Sequence, residues 1–72
     1  MAKVVGHGML EKYSREIFLQ NPIKLQELLT IIGIPDVTFE NALFLKGNCR
    51  LKKDDLVSDE DEVHFYLVPL GG

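Results

Sequence analysis

The sequence contains only one cysteine, Cys49, so an internal disulfide cannot form. The chain is also short: its 72 residues make one domain at most, and we expect residues 1–72 to form it. A chain of this size buries only about 60% of the surface that its unfolded form exposes. It has little room for both a core and an enclosed active-site cleft, which favours a carrier or binding module over a free-standing enzyme.

The sequence lacks an apolar run of the roughly 20 residues needed to span a bilayer, and its N-terminus lacks the apolar region and cleavage site of a secretory signal. We therefore expect a soluble, cytoplasmic protein with no membrane partner. No stripe of Lys and Arg is present among the eight basic residues, so nucleic acid is not an expected partner either.

Acidic residues, by contrast, are concentrated late in the chain, in a stretch without Lys or Arg: Asp54, Asp55, Asp59, Glu60, Asp61 and Glu62. Two interpretations of this stretch stay open. It is either a solvated turn or a docking patch for a basic partner, since complementary charge steers the encounter of two proteins.

Sequence motifs for catalysis or metal binding are missing as well. There is no G-x-x-x-x-G-K-[ST] motif for binding ATP. His7 and His64 lack the spacing of metal ligands, so no metal site is expected. Cys49 has no partner cysteine and no paired base, which favours a structural or incidental thiol. The glycines of Gly6-His7-Gly8 are interpreted as a strand bulge.

Apolar residues nevertheless come in periodic blocks, as in a folded domain. Four short strands are predicted: residues 3–10, 16–19, 41–46 and 63–68. The first two form a hairpin, Gly47-Asn48 is the turn after the third, and the fourth is the central strand. Leu56 and Val57 anchor the connection over residues 52–58, and residues 59–62 form a tight acidic turn.

One helix is predicted over residues 22–32. Asn21 is suited to capping its first amides and Pro22 to the first helical position. Gly33 supplies a left-handed end, and Pro35 prevents continuation. The apolar face has helical spacing: Leu25, Leu28, Leu29 and Ile32. So short a helix is unstable alone and has to lie on the sheet, which predicts an α+β fold with four to five strands and one main helix.

These features resemble the ubiquitin-like β-grasp sulfur carriers, the family of molybdopterin synthase small subunits and thiamine-pathway sulfur carrier proteins. The resemblance covers almost the whole chain: a hairpin, a helix, a third strand closing on Lys46-Gly47-Asn48, then Leu56, an acidic turn and Val63. It ends on a strand that runs into Pro69-Leu70-Gly71-Gly72. The chain departs from the family at Glu60, where a Gly often occurs in the acidic turn, and in Gly47-Asn48, where the family commonly has Asn-Gly.

The resemblance implies a carrier that is itself a substrate, with its chemistry at Gly72. An E1-like adenylating enzyme, which uses ATP, would activate the Gly72 carboxylate. A sulfur donor such as a cysteine desulfurase system would then convert it to a thiocarboxylate. The acceptor would be the large subunit of molybdopterin synthase or a thiazole synthase, and the carrier would bind no cofactor. Gly71 would give clearance in a narrow enzyme channel because it has no Cβ, in a flexible tail over residues 70–72.

The expected partner surface is the sheet face that the helix leaves open. Alternation along the last strand directs Val63, Phe65 and Leu67 to the helix and the intervening residues outward. If Leu43 and Leu45 also face the helix, Phe44 joins the open face. The expected partner-binding residues are Phe44, His64, Tyr66, Val68, Pro69 and Leu70. An exposed aromatic patch is typical of an interface, although a core rim or scattered surface residues remain alternatives.

Four functions stay open at this point. Sulfur carriage for molybdopterin is preferred, because prolines are common before the tail in carriers of that type and Pro69 stands there. Sulfur carriage for the thiazole of thiamine comes next. The other two are a ubiquitin-like modifier that forms isopeptide bonds through Gly72, and an interaction module whose tail does no chemistry.

Overall fold

The computed structural model of the protein describes residues 1–35 and 40–68. Within these ranges the strands are β1 (Ala2–Gly6), β2 (Arg15–Ile17), β3 (Ile23–Lys24), β4 (Ala42–Lys46), β5 (Cys49–Arg50), β6 (Leu56–Val57) and β7 (Glu62–Leu67). The main helix, α1, spans Leu25–Ile32, and a 3-10 helix spans Gly8–Tyr13.

Five of the strands form one mixed sheet in the order β2-β1-β7-β4-β5. β1 and β7 run parallel, and the other neighbours are antiparallel. β3 and β6 form a separate two-stranded ribbon. The predicted α+β class, with a mixed sheet of four to five strands and one main helix, is therefore confirmed. The sheet has five strands, and the arrangement is compatible with a β-grasp. β7 is the central strand, as the sequence predicts.

The core lies between α1 and one face of this sheet. All four apolar residues of the predicted helix face are buried. The sheet contributes alternate residues of its three middle strands: Ala2, Val4, Ala42, Phe44, Val63 and Phe65. Phe44 and Phe65 stack with their ring centroids 5.5 Å apart, and this pair provides the largest buried side chains of the cluster.

The helix begins later than the sequence predicts. Asn21 and Pro22 precede β3 instead of capping the helix, and the first helical residue is Leu25. Its backbone amide donates to the carbonyl of Asp55 (2.9 Å). A long-range partner thus satisfies the first amide of the helix. The predicted end is confirmed: Gly33 has φ 95°, and its amide donates to the carbonyl of Leu29.

The first strand is shorter than predicted, and its glycines do not form a bulge. β1 ends at Gly6, and its pairing with β7 is one-for-one from Lys3 to Gly6. The chain then turns into the 3-10 helix, which begins at Gly8 with φ 62°. A Cβ on Gly6 would lie 2.0 Å from the carbonyl oxygen of Leu10. Gly6 is therefore needed for a close approach of the 3-10 helix to the strand.

Only one of the two predicted anchors of the connection before the acidic turn is buried. Val57 is fully buried and pairs with Ile23 in the ribbon. Leu56 pairs with Lys24 but remains 55% exposed. Because successive residues of a strand point to opposite faces, the two short strands can bury only one of these side chains in the same core.

The acidic turn is held by its two aspartates. Asp59 Oδ1 accepts a hydrogen bond from the amide of Leu19 (2.8 Å). Asp61 Oδ2 accepts one from the amide of Ser58 (2.8 Å) and lies 3.5 Å from the Lys46 ammonium. Glu60 is exposed, and the described residues include no non-glycine residue with positive φ. The turn therefore accommodates Glu60 without the strain that a left-handed residue would bring.

We predict that Gly6→Ala destabilises the fold by about 3 kcal/mol, because the added methyl group clashes with the carbonyl oxygen of Leu10. Gly8→Ala is the matched control. Its methyl group would meet no atom within 4 Å, so only the positive φ opposes it, at about 1 kcal/mol. Urea unfolding measures both. Equal losses of stability would contradict a steric role for Gly6.

The contact between Asp59 and the Leu19 amide predicts a pH-dependent stability. This hydrogen bond holds the pKa of Asp59 below its ordinary value of 3.8. A group with a lowered folded-state pKa stabilises the fold above its unfolded-state pKa, and this contribution is lost as the pH falls through the folded-state value. Asp59→Asn should therefore lower the melting temperature at neutral pH.

The difference between wild type and Asp59→Asn should narrow below about pH 4, where the wild-type carboxyl also becomes neutral. Glu60→Gln, at the exposed neighbouring position, is the control and should melt like wild type throughout. Thermal melting followed by circular dichroism between neutral pH and pH 2 gives the result. A constant difference over this range would show that the Asp59 charge does not stabilise the fold.

Candidate functional site

The register between β4 and β7 decides which side chains lie on the open face of the sheet. Phe44 pairs directly with Phe65, and Leu43 pairs with Tyr66. Directly paired residues point to the same face, so Phe44 shares the helix side with Phe65 and is only 1% exposed. The prediction that Phe44 belongs to a partner surface is therefore wrong. Leu43 and Leu45 were expected to face the helix, and they face away from it.

The alternation of residues in the sequence could not show which side chains of β4 face the helix. Residues 42–45 are all apolar, so either set of alternate residues could form the buried face. The buried set pairs the small Ala42 with Leu67 and the large Phe44 with Phe65. The core is thus filled by the Phe44–Phe65 stack, while the two leucines remain half-buried on the other side.

We define the open face by six side chains that point away from the helix: Val5, His7, Leu43, Leu45, His64 and Tyr66. Lys3 and Glu62, which pair with each other, lie at its exposed edge. Two of its members, His64 and Tyr66, were predicted from the sequence. His64 is half-buried, and Tyr66 is 37% exposed. The face is apolar along β4 and aromatic along β7.

His7 and His64 form a contact that the sequence analysis missed. His7 Nε2 lies 2.9 Å from His64 Nδ1, and the His7 ring stacks on Tyr66 with a centroid distance of 4.3 Å. The two histidines are 57 positions apart in sequence. Only the parallel pairing of β1 with β7 brings them together, and single-chain spacing carries no signal of it.

A carboxylate completes this group at the edge of the open face. His64 Nε2 lies 2.6 Å from Glu62 Oε2. This hydrogen bond from His64 holds the pKa of Glu62 below its ordinary value of 4.5. Glu62 is therefore the ionised acceptor and His64 Nε2 the donor. The chain of contacts runs from Glu62 through His64 to His7.

Next to this group lies an acidic groove of about 430 Å³. Its ionisable and aromatic lining comprises Lys46, Glu60, Asp61, Glu62, His64 and Tyr66. Three carboxylates and one ammonium give the lining an excess of negative charge, which favours cations and basic groups. Over residues 1–35 and 40–68, no three His, Cys, Asp or Glu side chains form a group that could hold a metal ion.

The last described residues, at the end of β7, are apolar and accessible. Leu67 and Val68 are each 45% exposed, although Leu67 was expected to meet the helix. The Val68 amide donates to the carbonyl of Asn41 (2.7 Å), which holds the chain beside the start of β4. Val68 is thus accessible, as its predicted partner-binding role requires. Pro69, Leu70, Gly71 and Gly72 lie outside the described residues.

The remaining sequence features are not part of this site. Cys49 is exposed on the edge strand β5. In the described part of the chain, no helix has the length and apolar character needed to cross a membrane.

No model of a known protein family matches this chain, and no curated protein is found to match it.

The structure predicts losses of stability of different size for two aromatic residues that the sequence analysis assigned to one surface. Phe44→Ala removes a buried ring and should lower the free energy of unfolding by about 3–5 kcal/mol. Tyr66→Ala removes a partly exposed ring and should cost about 1 kcal/mol or less. Urea unfolding of both variants tests the register. A Phe44→Ala protein as stable as Tyr66→Ala would contradict it.

Proposed function

We propose that the protein is a sulfur carrier whose reacting group is the carboxylate of Gly72. In this proposal an adenylating enzyme activates the carboxylate with ATP, and sulfur replaces AMP to give a thiocarboxylate. The thiocarboxylate then donates its sulfur to an acceptor enzyme in cofactor biosynthesis, with a molybdopterin-type acceptor ahead of a thiazole synthase because of Pro69.

The observation that carries the proposal is the position of β7. This strand is central in the mixed sheet, with β1 on one side and β4 on the other. Its last described residue, Val68, is still tied to Asn41 by a backbone hydrogen bond. Four residues separate this anchor from the Gly72 carboxylate. The Gly72 carboxylate is therefore only a few residues away from any partner that binds beside the end of β7.

The composition of the segment after Val68 suits a nucleophilic attack on the carbonyl carbon of Gly72. Gly71 and Gly72 have no Cβ, so neither residue obstructs entry into a narrow channel or approach of a sulfur nucleophile. Adenylation makes the carbonyl carbon electrophilic because AMP is a good leaving group. The outer sulfur of a persulfide then forms the carbon–sulfur bond as AMP departs, which gives an acyl disulfide. A second thiol of the activating enzyme or the sulfur donor attacks the donor's inner sulfur, so that a disulfide forms between those two thiols and the thiocarboxylate is released. The carrier needs no catalytic side chain of its own, consistent with its small size.

Recognition is the part of the proposal that the open face supports. Leu43 and Tyr66 lie side by side in register, and Val68 follows on β7. Together they present apolar surface close to the start of the tail, where the core of an interface with the activating enzyme or the acceptor could form. Phe44 has no part in this surface because it is buried.

The decisive measurement is the intact mass of the protein after incubation with ATP, a matching activating enzyme and a sulfur source. The expected gain equals the mass difference between one sulfur and one oxygen atom. The starting mass of the protein isolated from its own cells measures whether Gly72 carries a free carboxylate, which the proposal requires.

Two variants make the experiment specific for Gly72. Deletion of Gly72 and addition of one alanine after it should each abolish the mass gain, while both proteins melt like wild type. Continued sulfur incorporation after deletion of Gly72 would refute the proposal. Lysine conjugates of the chain in cells, without a thiocarboxylate form, would identify a protein modifier instead.

A further inference from the structure

We infer that Glu62, His64 and His7 form a hydrogen-bonded triad on the open face that takes up one proton, at His7 Nδ1, and excludes a second. Glu62 Oε2 lies 2.6 Å from His64 Nε2, and His64 Nδ1 lies 2.9 Å from His7 Nε2. The triad makes the charge of this face depend on pH. It does not involve the tail, so it is independent of the chemistry proposed for Gly72.

The order of donors and acceptors in the triad follows from the carboxylate. An ionised carboxylate can only accept a hydrogen bond, so His64 Nε2 carries the proton in the contact with Glu62. A neutral imidazole has one N–H group and one lone pair. His64 Nδ1 is therefore the acceptor in the contact between the histidines, and His7 Nε2 is the donor. The lone pair of His7 Nδ1 is left to accept a proton.

A first proton fits this arrangement without a rotation of either ring. It binds to His7 Nδ1, and the hydrogen bond between the two rings then involves a charged group, which strengthens it. The charge is shared along this bond and is stabilised at both ends. His7 stacks on Tyr66 with a centroid distance of 4.3 Å, and an aromatic face attracts a cation. His64 is in contact with the Glu62 carboxylate.

A second proton has no place while the contact between the histidines holds. After the first proton is bound, the two rings retain one lone pair, and this lone pair accepts the hydrogen bond between them. A second proton there would make two N–H groups of two positively charged rings face each other across 2.9 Å. The rings are held against turning apart, His64 by Glu62 and His7 by the Tyr66 stack.

Other charged groups near the histidine pair do not replace Glu62 as its partner. They lie on each neighbouring element: Lys3 on β1, Lys46 on β4, Glu60 and Asp61 in the acidic turn, and Glu11 and Lys12 in the 3-10 helix. In the described part of the chain, none of these side chains forms a hydrogen bond or an ion pair with either ring. Lys46 lies 3.5 Å from Asp61, and Lys3 lies opposite Glu62. Glu62 is therefore the carboxylate that acts directly on the pair.

Uptake of one proton changes the charge that a partner meets on the open face. With neutral histidines the triad carries the negative charge of Glu62, and with one added proton it has no net charge. A partner that covers Tyr66 also covers the His7 ring stacked on it. Burial of a charged ring costs free energy, so an apolar partner surface should bind better when the pair is neutral. This effect on recognition rests on the proposed function, whereas proton uptake by the triad does not.

The test counts the protons taken up between about pH 8 and pH 5, the range in which histidines ordinarily titrate. The chain has only these two histidines, so potentiometric titration of the double variant His7→Ala, His64→Ala measures the uptake by all other groups. After this background is subtracted, the wild type should take up one proton. Each single variant should also take up one, because removal of either ring leaves the other free to titrate. Uptake of two protons by the wild type would refute the inference.

A measurement on the unchanged protein covers the case in which a substitution alters the fold. Long-range ¹H–¹⁵N correlation spectra of the imidazole rings distinguish a nitrogen with a lone pair from one that carries a proton. At pH 8, we expect lone pairs on Nδ1 of both rings. At pH 5, His7 Nδ1 should carry a proton, and one lone pair should remain in the contact between the rings. A proton on His64 Nδ1 at pH 8, or the loss of both lone pairs at pH 5, would overturn the inference.

Discussion

The parallel pairing of β1 with β7 is the constraint on which the rest of the structure depends. It joins residues near the two ends of the described chain, with Lys3 opposite Glu62 and Gly6 opposite Phe65. Two parallel strands cannot be joined by a tight turn, and the connection between β1 and β7 contains all the other elements of the described residues. The pairing buries Val4 and Phe65 in one core, and the close approach at Gly6 lets the 3-10 helix pack beside it.

Features set by local sequence were predicted well, whereas several details that depend on long-range contacts were not. The apolar face of α1 and its end at Gly33 depend on residues within a few positions, and both are confirmed. The predicted start of the helix was wrong because the acceptor for the first helical amide, that of Leu25, is the carbonyl of Asp55, thirty positions later in the sequence. The predicted orientation of Phe44 was wrong because residues 42–45 are all apolar, so the sequence does not show which of them face the helix. In the candidate site, the contact between His7 and His64 was not predicted because the two residues are 57 positions apart in the sequence.

The open face combines two kinds of surface that differ in what they can bind. Along β4 it is aliphatic, with Leu43 and Leu45, and this part suits the core of a protein interface. Along β7 it has His64 and Tyr66 beside the acidic groove, and this part suits a cation or a basic group. Tyr66 belongs to both parts, since it pairs with Leu43 and stacks on His7.

Because of this shared position of Tyr66, the two parts of the open face cannot be covered independently. A partner that covers Tyr66 would also cover the His7 ring, which stacks on it at a centroid distance of 4.3 Å, and would limit solvent access to His64 beside it. In the proposed function, carrier chemistry would use only the tail at Gly72, whereas recognition would use this face. A change in the charge or orientation of the histidine pair would therefore alter how well partners bind and leave the reactivity of the Gly72 carboxylate unchanged.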